Sequence, residues 1–190
     1  MPQVPIYLDS PMAINVTDLY CDFSQEHKLS ADGCTTAFGV AKYITSSQES
    51  QELSKSDQPA IIIAGSGMAN GGRVLEHFKY FISDAKNTVL FVGFQAKGTL
   101  GRKLIEGLST IDIDGKKYPV RAEITSMETF SAHADYNEIL DWLSHFKKAP
   151  KNVFLTHGES EAAQALKEKI EARYGWNVII PHYDDSFNLD

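Results

Sequence analysis

The stretch AIIIAGSGMANGGRVLEHF, residues 60–78, decides how the rest of the chain is read. Its first five residues are an unbroken apolar run, the pattern of a strand buried on both faces. A loop carrying Gly65, Gly67, Gly71 and Gly72 follows. Val74, Leu75, Phe78, Phe81 and Ile82 then recur at helical spacing and predict a helix over 71–82. Strand, glycine loop and helix form the unit of a parallel α/β sheet. Small residues let the backbone approach a ligand, and a helix N-terminus offers free N–H groups to an anion. The loop nearly matches a P-loop, with Gly67, four residues and then Gly72. Arg73 and Val74 stand where Lys and Ser/Thr are required, so triphosphate hydrolysis is excluded. It is not G-x-S-x-G either, because Ala64 and Met68 flank Ser66 where glycines are needed. Phosphate binding and simple packing of helix on sheet are equal readings of this loop.

Outward from it, short apolar strands alternate with helices. Strands are expected at 5–8, 40–44, 88–92, 123–126, 152–156 and 178–180, with 88–92 buried like 60–64. Helices are expected at 13–23, 100–108, 136–146 and 159–174, the last ended by Gly175. On the 136–146 helix, Ile139, Leu140, Leu143 and Phe146 share one face. Ser46-x-x-Glu49 is a capping box opening a short polar helix. Asp114-Gly115 between extended runs signals a hairpin at 111–120. The tail after Pro181 is acidic and expected to fray. A domain boundary is placed at the 111–120 hairpin, giving portions 1–115 and 116–190.

The 190 residues are 43% hydrophobic and 23% charged, ordinary for a globular chain. No apolar run approaches the roughly 20 residues a bilayer requires, and no membrane partner is expected. MPQVPIYLDS lacks a basic region followed by an apolar stretch, so no signal peptide is expected. Cys21 and Cys34 are too few for a disulfide framework and suit a reducing cytoplasm, although pairing stays open. The net charge of −7 argues against a non-specific nucleic-acid binder with a basic face. It leaves open a nuclease whose local positive charge comes from bound metal.

Two further segments carry histidines at loop-to-helix junctions. In TFSAHADYNEILDWL, His133 lies just before a helix that Asp135 and Glu138 are placed to cap. In NVFLTHGESEAAQAL, His157 sits between a strand and a helix, and Thr156-x-x-Glu159 reads as a second capping box. The C-terminal end of a sheet strand is where α/β sheets place ligands. Alone, each histidine is an ordinary loop residue, since zinc takes about four ligands from several segments. The chain contains no H-x-H-x-D-H, H-E-x-x-H or C-x-x-C. His77 and His145 read as surface-helix residues.

Five segments in order resemble the β-CASP group of metallo-β-lactamase-fold nucleases: PIYLDSPMA (5–13), AGSGMANGGR (64–73), VGFQAKGTLGRKL (92–104), FSAHAD (130–135) and THGE (156–159). That group includes the endonuclease subunit of pre-mRNA cleavage and polyadenylation and its bacterial and archaeal relatives. The resemblance implies an α/β fold, with a parallel-sheet, Rossmann-like β-CASP portion followed by the C-terminal portion of a metallo-β-lactamase αββα fold. It implies RNA as substrate and zinc as cofactor, a pair of ions bridged by hydroxide in the complete enzyme. His133 matches the family's proton-donating histidine and His157 a zinc ligand. Ser66, Gly67, Arg73 and Ser131 are implied substrate contacts, and Asp9 and Ser10 match a segment taken as structural.

The family's H-x-H-x-D-H motif, bridging aspartate and upstream acidic motif are absent from these 190 residues. The expectation is a fragment of a zinc-dependent ribonuclease, inactive alone, whose partners are RNA, the N-terminal half of the fold and, as an open possibility, a second copy of the chain. The alternatives are a non-catalytic RNA- or protein-binding β-CASP module and an unrelated phosphate-binding α/β domain.

Overall fold

Ser10 and Pro11 set how the chain leaves its first strand. In a computed structural model that describes residues 4–127, 129–130 and 133–189, strand β1 spans Ile6–Asp9. Ser10 then caps helix α1, Pro11–Asp22, its hydroxyl accepting from the Ala13 N–H at 3.3 Å. Proline suits the first helical turn because that N–H would have no partner anyway. A second helix, α2, Ala31–Phe38, is capped by Ser30 and leads to β2, Ala41–Tyr43. The expected capping box opens α3, Ser47–Ser54: Ser46 accepts from the Glu49 N–H at 3.1 Å, and Glu49 accepts from the Ser46 N–H at 3.2 Å. Strand β3, Ile61–Ala64, and helix α4, Arg73–Phe81, flank the glycine loop.

The three strands form a parallel sheet ordered β2-β1-β3, with Ile6 opposite both Ala41 and Ile61. Strand β4, Thr88–Val92, pairs in parallel with β7, Glu123–Met127. Between them lie α5, Leu100–Ile105, and the hairpin of β5, Thr110–Ile113, and β6, Lys116–Pro119. Asp114 and Gly115 both take positive φ, 53° and 76°, as an Asp-Gly hairpin turn requires. The core of this first unit, Met1–Ser131, gathers Phe78 and Ile82 from the α4 end, Phe91, Leu104, Ile111 and Ile113.

The second unit, Ala132–Asp190, contains α6, Tyr136–Ser144, β8, Val153–Phe154, α7, Ser160–Tyr174, and β9, Val178–Ile179. The two strands run parallel, and Leu140, Leu143, Ile170 and Val178 form its core. Gly175 ends α7 in the left-handed conformation, its N–H reaching the Glu171 carbonyl.

Four expectations need correction. Strands β3 and β4 are not buried on both faces: Ile61 and Ile63 are 51% and 49% exposed, and Leu90 and Val92 are 48% and 53% exposed. Successive strand side chains point to opposite faces, and this chain packs only one of them. Helix α2 was not anticipated, because eight residues with two threonines and a glycine carry little helical pattern. Helix α7 begins at Ser160 with Glu159 as its N-cap and no side-chain capping bond, so Thr156-x-x-Glu159 is not a capping box. Phe146 lies beyond α6 and is exposed, packed edge-on against Trp142 and Trp176.

Candidate functional site

Asp9, the last residue of β1, is fully buried and accepts hydrogen bonds from three side chains. Ser50 Oγ donates at 2.5 Å, His77 Nε2 lies at 2.8 Å, and Arg73 Nη1 forms an ion pair with the other carboxylate oxygen. Arg73 Nη1 also donates to the Ile44 carbonyl at 3.0 Å. His77 Nδ1 meets Ser54 Oγ at 2.8 Å, and that hydroxyl donates to the Ser50 carbonyl at 2.9 Å. The carboxylate therefore ties β1 to α3 and α4. A buried charge is tolerated only when paired and hydrogen-bonded, and here both conditions hold. His77 is buried, which corrects its reading as a surface residue. Position 77 falls three residues after Val74 and four before Phe81, on the inward stripe of α4, and that spacing was the available signal.

The Gly65–Gly72 loop stands directly on this network. A Cβ on Gly65 would meet Ser10 Oγ at 2.7 Å, so any larger residue there must displace the Ser10 side chain that caps α1. Gly72 has φ 73° and opens α4 with no side-chain cap. Ser66 and Ala69 also take positive φ, 70° and 55°, which non-glycine residues adopt rarely. Gly67 and Gly71 differ, because a Cβ on either would meet nothing within 4 Å. The loop is held from the other side by Gln95, whose Nε2 donates to the Gly67 carbonyl at 2.9 Å. The Gly101 N–H donates to the Met68 carbonyl and the Leu100 N–H to Asn70 Oδ1, each at 2.9 Å. A Cβ on Gly101 would lie 1.9 Å from Gln95 Oε1 and 3.0 Å from the Phe91 ring, so a larger residue there must displace the Gln95 side chain. Gln95 lies in a segment quoted for its resemblance, but its role depends on a bond across 28 residues.

Of the residues singled out in this unit, Ser66, Gly67 and Arg73 share one loop-to-helix junction. Arg73 directs Nη1 inward to Asp9. Ser131 lies outside the described residues.

In the second unit, His133 lies two residues before Asp135, which caps α6. Asp135 accepts from the Asn137 and Glu138 N–H groups at 2.8 and 2.9 Å, and Glu138 returns a bond to the Asp135 N–H. His157 lies three residues beyond β8, ahead of α7, exposed and with φ 64°. The two histidines thus approach the N-termini of two helices that share one core. Among the described residues, no three His, Cys, Asp or Glu side chains gather into a set able to hold a metal ion. Zinc takes about four protein or water ligands, so the described donors do not by themselves fit a zinc centre.

Parallel strands ending in a glycine loop and in a strained histidine define an α/β protein whose distinctive residues lie beyond its strand ends. Comparison with known proteins makes that class specific. Residues 1–104 match the Beta-Casp domain, and residues 117–181 match the Zn-dependent metallo-hydrolase RNA specificity domain. A ribonuclease of Thermus thermophilus is 37% identical over 97% of this chain and 43% of its own length. A transcription termination factor, FttA, of Thermococcus kodakarensis is 32% identical over 98% of the chain and 31% of its own. An RNase J-like protein of Methanocaldococcus jannaschii is 36% identical over 82% of the chain and 36% of its own. The chain belongs to the β-CASP family. It spans less than half the length of these relatives. No helix among the described residues is long and apolar enough to cross a membrane.

Proposed function

We propose that this chain is part of a metal-dependent ribonuclease, with His157 as a metal ligand and His133 as the proton donor to the leaving oxygen. The observation that carries the reading is the backbone of His157. A non-glycine residue held in the left-handed region costs about 1–2 kcal/mol, and such strain concentrates where a side chain must be aimed. A histidine suits both roles, because its imidazole binds zinc and titrates near neutrality. Zinc, if bound, supplies an activated hydroxide and stabilises charge on the phosphate oxygens.

The described donors are too few for a zinc centre, so on this reading the remaining ligands belong to the N-terminal metallo-β-lactamase half, a partner alongside RNA. The chain alone is then inactive. The open positions at Gly67 and Gly71 support backbone approach to RNA phosphate, with the Ser66 hydroxyl in the same loop; Ser131 belongs to this reading as a further substrate contact. Arg73 fits as a contact that Asp9 orients, since the carboxylate fixes one end of its guanidinium. A cytoplasmic location and a boundary between portions 1–115 and 116–190 belong to the same reading.

A non-catalytic RNA- or protein-binding module is the second reading, in keeping with the lack of a metal-holding donor set among the described residues. One experiment separates the two. The complete reading frame containing these residues is expressed with zinc and given an end-labelled RNA. Zinc-dependent cleavage, lost in His133→Ala and His157→Ala, is the expected result. Undiminished cleavage in both variants would sink the assignment. Binding without cleavage in the parent protein would favour the module.

A further inference from the structure

Cys21 closes the last turns of α1, and Cys34 lies in the first turns of α2. Their side chains line one cavity of about 340 Å³, together with Phe38 and Tyr43. Cys34 is 1% exposed, whereas Cys21 is half-buried. The segment between them folds back on α1: His27 stacks on Tyr20 with ring centroids 3.8 Å apart, and its Nε2 meets the Tyr20 carbonyl at 2.8 Å. The chain thus returns the second cysteine to the first within thirteen residues.

We propose that Cys21 and Cys34 form a reversible dithiol–disulfide pair, oxidised by a low-molecular-weight disulfide such as oxidised glutathione. Burial fixes the order of steps. Cys21 is the sulfur that a solvent-borne disulfide can reach. Its thiolate attacks one glutathione sulfur, the glutathione disulfide bond breaks, and a glutathione thiolate leaves and takes up a proton. Cys34 then loses its proton to solvent and attacks Cys21 Sγ, expelling the second glutathione. The two protein thiols are oxidised by two electrons, and one glutathione disulfide is reduced to two thiols. Added thiol reverses both steps.

A hydrogen bond to Cys34, burial and the nearby charges of Cys34, Asp18 and Asp22 push the Cys21 thiol up to about 11. The thiolate is the attacking species, so oxidation is slow at neutral pH and accelerates as pH rises toward that value. The pair therefore rests reduced in a reducing compartment and responds to sustained oxidation. Once formed, the bond staples α1 to α2 and shortens the unfolded chain's freedom.

The 190-residue chain, incubated with oxidised glutathione at mildly alkaline pH, tests this. Intact mass should fall by two hydrogen atoms, and peptide mapping should link Cys21 to Cys34 with no glutathione retained. The melting temperature should rise on the order of 5–10 °C, and dithiothreitol should reverse it. Cys34→Ser should trap glutathione on Cys21, while Cys21→Ser should remain unmodified at Cys34. A stable glutathione adduct on the parent chain, an intermolecular dimer or no reaction would each overturn the proposal. Equal modification of Cys34 in the Cys21→Ser variant would overturn the order of attack.

Discussion

Asp9 shows how one side chain can organise a site it does not visibly enter. Its carboxylate accepts from Ser50, Arg73 and His77 while excluded from water. Removing it takes the counter-charge from Arg73, which keeps the Ile44 carbonyl, and the partner from His77 Nε2. Breaking a buried pair from one side costs about 3–5 kcal/mol. Asp9→Ala should lose that much in urea unfolding, and Ser54→Ala about 1 kcal/mol. Equal small losses would show that the network contributes little. His157 makes the opposite case. Its φ of 64° is one that glycine adopts without strain. His157→Gly should therefore be at least as stable as the parent by denaturant titration, by up to about 1 kcal/mol, while His157→Ala shows no gain. A clear loss in the glycine variant would mean that the imidazole itself holds the loop.

Among the elements, α3 illustrates a local rule obeyed in full. The Thr45 and Ser46 N–H groups donate to Glu49 and hold its carboxyl below the ordinary value of 4.5. A lowered folded-state value means stability that is present above 4.5 and lost as pH falls through the folded value. The parent should exceed Glu49→Gln in stability at neutral pH, and the gap should close on acidification, followed by thermal melts across that range. A gap unchanged in acid would remove the carboxylate from the explanation. This helix start was legible because both partners lie within four residues. The start of α7 was not, although Thr156-x-x-Glu159 has similar spacing. Spacing shows only that a cap is within reach. The strained His157 lies inside that spacing, between the residue that would cap and the start of the helix.

At the scale of the molecule, each unit depends on a few side chains removed from water. Ile82 is fully buried in the first and Ile170 is 1% exposed in the second. Truncating either to alanine should cost about 2–5 kcal/mol by calorimetry. A loss under about 1 kcal/mol would mean that the neighbouring chain collapses into the space. The strands of the first unit carry large apolar side chains on a face that this chain leaves exposed, from Ile61 and Ile63 to Leu90 and Val92. Continuous apolar runs read as two-sided burial because sequence records what a strand can bury. Which face is covered depends on what packs there.

By itself the sequence determined the alternation of strands and helices, the Asp-Gly hairpin, the capping boxes of α3 and α6, the glycine end of α7 and the ordered segments that mark the β-CASP family. Each rests on residues within a few positions of one another, or on their order. The tertiary structure alone decided that His77 turns inward, that Asp9 joins residues 41, 64 and 68 positions away, that Gln95 pins the glycine loop, and that Cys21 and Cys34 share a cavity. Those contacts exist only once parallel strands fix their register and helices pack across them. Hydrogen bonds along a turn are encoded by neighbours, whereas partners brought together across a sheet are set by the whole fold.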